Sequence, residues 1–263
     1  MRVVYLVTIA ACVSVLVGCL REGPVEEEEP QPLKPLLAVI QDAVAKTDSA
    51  YEQFYEREYR PEEPLRWTKI AGWMVEDAIE RQYPKAKPLA KILDLGCGFG
   101  TLLAFATTIY GVEGVCVDVV PYIEGKDNLR ELYHLSFVEG SIERDPLPGP
   151  EKFGVIIFTE VLEHLNFKPV PTLLKIWNSL EEGGTLFLST PDSDAGWGRN
   201  YKHYQRLSDI PAVNPEAEWL DDHIWHYNKR ELIGVLTDAG FKIKRIDHSY
   251  SPGGGHFNVW AVK

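Results

Sequence analysis

Cysteine is scarce in this chain and is not arranged for metal binding. The 263 residues include 4 cysteines, Cys12, Cys19, Cys97 and Cys116. No two of them form the C-x-x-C pair typical of structural zinc and redox sites. We therefore expect neither a structural zinc site nor a disulfide framework, and we expect Cys97 and Cys116 to be inert packing residues.

Basic residues are also in the minority. The chain has 27 Lys and Arg against 39 Asp and Glu, a formal net charge of −12. Binding to nucleic-acid phosphates needs clustered Lys and Arg, so the composition argues against a nucleic-acid partner. No internal repeat is visible, and the length suits one large α/β domain or one domain plus an extension.

The N-terminus has the pattern of an export signal. Met1 and Arg2 precede an apolar run over 3–20, and a charged start before an apolar stretch is typical of a signal peptide. The letters LVGC ending at Cys19 resemble the bacterial lipoprotein signal. The resemblance implies a signal segment at 1–19, a lipid on Cys19 and an acidic tether at 20–35, and hence a membrane-associated protein.

Two alternatives stay open for this segment. An uncleaved membrane anchor needs about 17–25 apolar residues, and the run is just long enough. A misassigned start would remove the segment and leave a cytoplasmic protein. Arg2 and Arg21 flank the run on both sides, so charge does not decide which side of the membrane the domain occupies.

Helices and then alternating strands and helices fill the rest of the chain. Apolar spacing predicts two short helices in 36–60, meeting near Thr47, and another over 65–84; the aromatic stripe of the first pair is expected to be core. Strands are predicted near 91–95, 113–118, 136–139, 153–158 and 184–189, and helices near 100–110, 121–133, 168–181 and 228–239. The last two strands, 241–250 and 256–263, follow one another through a Gly-rich turn and are expected to pair antiparallel at one edge. A long aromatic insertion occupies 191–224.

Three glycines follow the first predicted strand in ILDLGCGFG, residues 92–100. Their spacing, D-x-G-x-G-x-G, differs from the G-x-G-x-x-G of dinucleotide-binding turns, and no Gly-Lys-Ser/Thr follows as in a phosphate-binding P-loop. Asp94 precedes the first glycine by two residues. Because a carboxylate repels a pyrophosphate, this loop suits a ligand that presents a cation.

The run ILDLGCGFGTLLAFA resembles the first motif of class I S-adenosylmethionine-dependent methyltransferases, and the resemblance extends over 88–263. It implies a Rossmann-like, seven-stranded, mostly parallel sheet with one antiparallel edge strand, helices on both faces, and a helical lid at 36–87. The cofactor site implied is made by Asp94, Gly96, Gly98, Gly100, Asp118, Ser141, Ile142 and Thr159. Asp118 would bind the ribose hydroxyls, and Ser141 stands where many members place an Asp.

The string Glu160-Val-Leu-Glu163-His164 is the foremost candidate for the chemistry. If a helix begins after Phe158, both carboxylates and the imidazole share one face. E-x-x-E-H resembles the metal-binding set of ubiquinone-pathway O-methyltransferases and small-RNA 2′-O-methyltransferases, which implies Mg²⁺ or another divalent ion on Glu160, Glu163 and His164. A metal site, His164 as a metal-free base, and a purely structural role all stay open.

A second candidate segment, 218–232, brings Asp221, Asp222, His223 and His226 close together. His223 could complete a metal site, act as a base near its ordinary pKa, or be a capping or surface residue. The aromatic side chains of this region could either wall a substrate pocket or hold the loop down: Trp197, Tyr201, Tyr204, Trp219 and Trp225. His203 and His256 have no partner that the sequence identifies.

Two hypotheses from different classes follow. The first is an S-adenosylmethionine-dependent methyltransferase that methylates oxygen on a small molecule, lipid precursor or glycan, using Glu163, His164 and His223. RNA 2′-O-methylation is a variant that the acidic balance disfavours. The second is a non-catalytic, membrane-tethered binding or scaffold protein that keeps the fold, which the N-terminus favours because a charged cofactor does not cross membranes unaided.

Overall fold

The computed structural model describes residues 33–46, 52–82, 89–124, 127–149 and 152–263. The signal segment expected at 1–19, the lipid site at Cys19 and most of the acidic linker expected at 20–35 lie outside these residues. Among the described helices, none combines the length and the apolarity that a bilayer span requires.

Helical segments precede the sheet, in the region where the lid is expected. Helix α1 spans Leu33–Ala45, a short turn at Glu52–Phe54 runs into a π-helical segment at Tyr55–Tyr59, and α2 spans Glu63–Gln82. Apolar residues at helical spacing, such as Ile40 and Met74, are buried in one core together with strand residues. The lid therefore packs directly on one face of the sheet.

Seven strands form one sheet in the order β3-β2-β1-β4-β5-β7-β6. Their bounds are β1 Ile92–Leu95, β2 Gly114–Asp118, β3 Leu135–Glu139, β4 Phe153–Thr159, β5 Leu180–Pro191, β6 Lys242–Ser251 and β7 Gly254–Val262. Strands β1 to β5 pair in parallel, and β7 runs antiparallel between β5 and the outermost strand β6. The predicted fold is confirmed, and the reversed strand lies one position in from the edge.

Four helices complete the α/β layers: α3 Thr101–Tyr110, α4 Asp127–Tyr133, α5 Pro169–Ser179 and α6 Lys229–Asp238. Helices α1, α2 and α3 cover the core that contains Ile92 and Ile157, while α5 and α6 cover the core that contains Leu93 and Ile156. A strand buried on both faces is apolar along its length, which explains the run FGVIIF in β4. Strand β5 begins at Leu180, earlier than expected, because it pairs with Phe153 ahead of a bulge.

Cys97 and Cys116 are joined by a disulfide. Cys97 follows β1, Cys116 lies within β2, and the parallel pairing of these strands brings the two Cα atoms to 5.5 Å, a separation that suits a disulfide. The expectation that both are inert packing residues is wrong. The reason is that their proximity arises from strand pairing, which cysteine spacing alone does not reveal.

Candidate functional site

A cavity of about 440 Å³ opens where β1, β2 and β4 end. This is where strand order departs from chain order, between β1 and β4, and open α/β sheets bind ligands at such a point. The cavity brings together most of the predicted site residues: Gly96, Gly98, Asp118, Ser141, Ile142, Thr159, Glu160, Glu163, His164 and His223. Two predicted residues lie behind its wall, Asp94 within β1 and Gly100 at the N-cap of α3.

The glycine loop needs bare backbone at its first glycine. Gly96 has a φ of +74°, and a Cβ added there would lie 2.3 Å from Cγ2 of Val161. Any other residue would therefore collide with the turn that follows β4. Gly98 has a φ of +51° and a Cβ there would meet nothing within 4 Å, so at this residue the backbone conformation, rather than crowding, favours glycine.

Asp118 is held at the end of β2 by the main chain. One carboxylate oxygen accepts the Gly98 N–H and the other accepts the Val120 N–H, each at 2.9 Å. Burial raises the pKa of Asp118, and these two hydrogen bonds partly offset that rise. Since a carboxylate offers about four acceptor positions, Asp118 keeps capacity for the two hydroxyls of a ribose.

Asp94 is a buried acid whose ionised form is disfavoured by its surroundings. It is only 2% exposed, and burial together with the charge of Asp118 raises its pKa well above the ordinary range. Without a cation nearby the neutral form is favoured. A ligand that places an ammonium at this strand end would reverse that balance.

Ser141 and Ile142 lie on a turn after β3 that borders the cavity. The Ser141 N–H donates to Asp145 at 2.7 Å, and its hydroxyl oxygen accepts the Arg144 N–H at 3.3 Å. The Ser141 side chain thus stabilises the turn on which it lies. One lone pair remains on this hydroxyl, and it can accept a hydrogen bond where many members of the family have an Asp.

The turn after β4 is not the helix that the sequence suggested. Glu160 has a φ of +55°, and only Leu162–His164 forms a single 3-10 turn. The expectation that Glu160, Glu163 and His164 share one helical face is wrong, because the left-handed residue redirects the chain. A non-glycine residue in this region is held there by its surroundings.

Glu160 is engaged by two neighbouring strands. Its carboxylate accepts the Ser189 hydroxyl at 2.6 Å and lies 2.7 Å from Nδ1 of the fully buried His256. Burial alone would raise the pKa of Glu160, but His256 lowers it below its usual value. His256 therefore has a partner that the sequence did not identify, and so does His203, which lies 2.9 Å from Asp222.

Glu163, His164 and His223 form a compact group at the cavity. One ligand atom from each lies within 4.8 Å of the others. The Glu163 carbonyl accepts the N–H groups of Ile224 at 2.7 Å and Trp225 at 3.2 Å, which brings the segment carrying His223 onto the turn carrying His164. His223 is not a cap, because Asn228 and Glu231 form the capping box of α6.

The protonation states in this group diverge. Burial and the charge of Glu160 raise the pKa of Glu163 well above its usual range. Burial lowers the pKa of His164 and, together with its two histidine neighbours, lowers that of His223 to about 4. Both imidazoles are therefore neutral near pH 7, with one lone pair each for a proton or a metal ion.

The lid supplies cavity residues that the sequence pattern did not single out. Phe54, Tyr59, Arg66 and Trp67 all line the cavity. The expectation that the aromatic stripe is core holds for the buried Tyr55 and is wrong for the exposed Phe54. Tyr59 is half-buried and packs against the core while also lining the cavity, and Tyr51 lies outside the described residues. In the insertion, Trp197 and Trp219 line the cavity, whereas Tyr201, Tyr204 and Trp225 are not among its lining residues.

Arg66 is the most consequential of these. Its Nε atom is buried and has no hydrogen-bond partner within the described part of the chain, and its one ion pair, to Glu62, is long at 3.5 Å. A buried guanidinium donor without a partner is costly. It is suited to receive an anionic group of a ligand, and helical periodicity alone gives no signal for that role.

Known proteins resemble this chain in sequence and in fold. It is 35% identical to the mitochondrial ubiquinone biosynthesis O-methyltransferase of Candida albicans over 112 residues, and 32% identical to the ubiquinone biosynthesis O-methyltransferase of Xanthomonas campestris over 108 residues. These matches cover 39% and 40% of this chain, but only 33% and 44% of the relatives' own lengths.

A solved structure shows the fold. The 1,6-didemethyltoxoflavin-N1-methyltransferase of Burkholderia thailandensis matches 92% of this chain and 93% of its own, with a TM-score of 0.58 and 17% identity. Residues 58–246 match the family model described as a methyltransferase domain, and that match includes every residue of the cavity named above except Phe54. The chain therefore belongs to this family of methyltransferase domains.

Proposed function

We propose that the chain is an S-adenosylmethionine-dependent O-methyltransferase that acts on a small molecule or lipid precursor. The main support for this proposal is that two sets of residues line the same cavity. The glycine loop and Asp118 suit the cofactor, and the group of Glu163, His164 and His223 suits removal of a proton from an acceptor.

The charges around the cavity match the charges of the cofactor. We assign the ammonium of the cofactor to the Asp94 carboxylate and its ribose hydroxyls to Asp118. The Nε–H of Arg66, which has no hydrogen-bond partner among the described residues, suits the carboxylate of the cofactor. The Burkholderia neighbour was solved with S-adenosylhomocysteine bound. A ligand with both a cation and an anion on its amino-acid end needs this combination of an acid and a guanidinium.

Methyl transfer to a hydroxyl is an in-line displacement. The acceptor oxygen bonds to the methyl carbon, the carbon–sulfur bond breaks, and S-adenosylhomocysteine leaves with the electron pair. The acceptor proton must go to a base. His164 and His223 each offer a neutral imidazole at the cavity, so in the metal-free site either can take that proton when the acceptor lies between them and the sulfonium.

The same group fits a divalent ion. One carboxylate and two imidazoles form a mixed donor set, which suits a transition-metal ion better than Mg²⁺. We propose that Glu163, His164 and His223 hold such an ion, while Glu160 is kept out of the set by His256. When bound, the ion would lower the pKa of an acceptor hydroxyl.

The substrate class is part of the proposal. The curated relatives are ubiquinone biosynthesis O-methyltransferases, and aromatic side chains border the cavity in this chain. Phe54 and Trp219 are 43% and 40% exposed while also lining the cavity. They would contact the apolar part of an acceptor at the entrance.

Membrane attachment through residues 1–19 is also proposed. The lipoprotein-like LVGC supports a lipid on Cys19. Labelling with a palmitate analogue tests this attachment. Label on the wild-type protein that is lost in Cys19→Ala is expected, and equal labelling of both would refute it.

Binding of S-adenosylhomocysteine separates the enzyme from the scaffold alternative. Calorimetry is expected to show micromolar binding, lost in Asp118→Ala and kept in Asp127→Ala, a matched control whose side chain is 80% exposed. A screen of cell extracts for new methylated masses then identifies the acceptor. Binding without any methylated product would favour a scaffold, and no binding would refute the cofactor assignment.

Metal dependence is tested once a product is known. Turnover is expected to stop with a chelator, to return with Mn²⁺, and to be abolished in Glu163→Ala. Turnover that is insensitive to chelators would leave His164 or His223 as a metal-free base.

A further inference from the structure

His226 contacts His223 away from the cavity wall. Nε2 of His226 lies 2.8 Å from Nδ1 of His223, and Nδ1 of His226 lies 2.8 Å from the Gly198 carbonyl oxygen. His226 is buried, with 8% of its surface exposed. It is not among the residues that line the cavity, so it does not contact a substrate there.

The hydrogen-bonding partners determine which nitrogens carry protons. A carbonyl oxygen only accepts, so Nδ1 of His226 must donate. In a neutral imidazole the other nitrogen is then an acceptor, so Nε2 of His226 accepts a hydrogen bond that Nδ1–H of His223 donates. Nε2 of His223 is left with a free lone pair.

We propose that His226 is a positioning residue that holds His223 in the Nδ1–H tautomer and leaves Nε2 of His223 for a proton or a metal ion. The proposal rests on the role assigned to His223 in the proposed function. It extends that role, because His226 acts on the chemistry only through its neighbour.

Two features hold the ring of His226 in place. The Trp197 ring packs against both histidines, with ring centroids 5.6 Å from each. The Ser193 N–H donates to the Tyr227 carbonyl at 2.9 Å, which ties the segment that carries Gly198 to the segment that carries His226. His226 and the Gly198 carbonyl that accepts its Nδ1–H therefore lie on two segments that are hydrogen-bonded to each other.

The Nδ1–H of His223 thus has an acceptor, Nε2 of His226. Histidines that bind metals or act as bases generally have the other nitrogen fixed in this manner, and for His223 only the intermediate His226 provides it.

The test reads the tautomer directly. Protein labelled with ¹⁵N histidine, free of cofactor and metal, is examined near neutral pH by long-range ¹H–¹⁵N spectra, and His223→Gln assigns the His223 signals. The wild-type protein is expected to show the Nδ1–H tautomer at His223. His226→Phe, which lacks an acceptor, is expected to lose it, and His226→Gln, whose amide both donates and accepts, is expected to keep it.

Two results would overturn the proposal: an Nε2–H tautomer of His223 in the wild-type protein, or an unchanged Nδ1–H tautomer in His226→Phe. The wild-type spectrum decides even if the Phe variant fails to fold, and S-adenosylhomocysteine binding reports the fold of both variants. Mn²⁺ affinity is expected to fall about 10- to 100-fold in His226→Phe and to stay near wild type in His226→Gln. A wild-type protein that binds no Mn²⁺ would refute the metal role alone, because the tautomer is measured without metal.

Discussion

Replacing the buried acid Asp94 tests the idea that the glycine loop receives a cation. The substitution Asp94→Asn keeps the shape of the side chain and removes its ionisable group. Asp94 is 2% exposed and carries a raised pKa, so in the unliganded protein its charged form is unfavourable. The ammonium of S-adenosylmethionine or S-adenosylhomocysteine would stabilise that form.

The expected loss of affinity follows from removing the hydrogen bond that we propose between the ammonium of the ligand and the carboxylate of Asp94. Such a bond to a buried ionised partner contributes about 1.5–3 kcal/mol. This corresponds to a roughly 10- to 150-fold increase in Kd. The lower end is expected here, because wild-type Asp94 must first lose its proton against burial and against the charge of Asp118.

The coupling to protons gives the sign of the pH dependence. A pKa raised in the free protein means that Asp94 holds its proton more tightly there than in the complex with an ammonium, so binding is accompanied by proton release and affinity rises with pH. Without ligand the folded state binds more protons than the unfolded state, so Asp94 lowers stability as pH rises from about 3.9 towards its folded pKa. The variant is therefore expected to melt at a higher temperature than wild type near neutral pH.

Calorimetry in two buffers of different ionisation enthalpy measures both effects. Wild type is expected to release a proton on binding S-adenosylhomocysteine, and Asp94→Asn is expected to release less and to bind more weakly. Asp127→Asn, an exposed change of the same chemistry, is the control. Equal affinity of Asp94→Asn and wild type, or proton uptake by wild type, would refute the assignment of a cation to this strand end.

Three further changes test other parts of the site. Gly96→Ala is expected to lower the free energy of unfolding by about 1–3 kcal/mol, because the new Cβ would clash with Val161. Denaturant titration is expected to show partial recovery of that free energy in Gly96→Ala/Val161→Ala. No recovery would mean that the clash is not the cause. Arg66→Gln is expected to weaken S-adenosylhomocysteine binding about 10-fold or more, whereas Arg57→Gln, at an exposed position, is expected to bind as wild type; equal affinities would remove Arg66 from the cofactor site. Asn228→Ala is expected to cost about 1 kcal/mol through loss of the α6 capping box; an unchanged melting temperature would show that the cap contributes nothing.

The cofactor half of the site was predictable because its residues follow strands directly. Asp94 and Gly96 come at the end of β1 and Asp118 ends β2, and the carboxyl ends of parallel strands meet at one edge of a sheet. Apolar runs separated by amphipathic helices predicted those strands well. The position of β7 between β5 and the edge strand β6 was harder to predict. A Gly-rich hairpin indicates that two strands pair, but not which of them lies at the edge of the sheet.

The catalytic half was only partly predictable. The residue types of Glu160, Glu163 and His164 were apparent, but the helical face assigned to them was not formed. The left-handed residue Glu160 is contacted by Ser189 of β5 and His256 of β7. Contacts from strands that are distant in the sequence leave no trace in local periodicity, and the same holds for the disulfide of Cys97.

The meeting of His164 with His223 shows why the insertion matters to function. The two residues are brought together because the Glu163 carbonyl takes hydrogen bonds from the backbone of Ile224 and Trp225. The rings then pack edge to face, with centroids 4.6 Å apart. A main-chain contact thus sets the distance between two functional side chains, so side-chain substitutions in the insertion can leave that distance intact while changing what lies around it. On this basis Trp219, at the cavity entrance, is free to differ between acceptors, whereas the proton-accepting group and the Trp197 ring that packs against His223 and His226 are not.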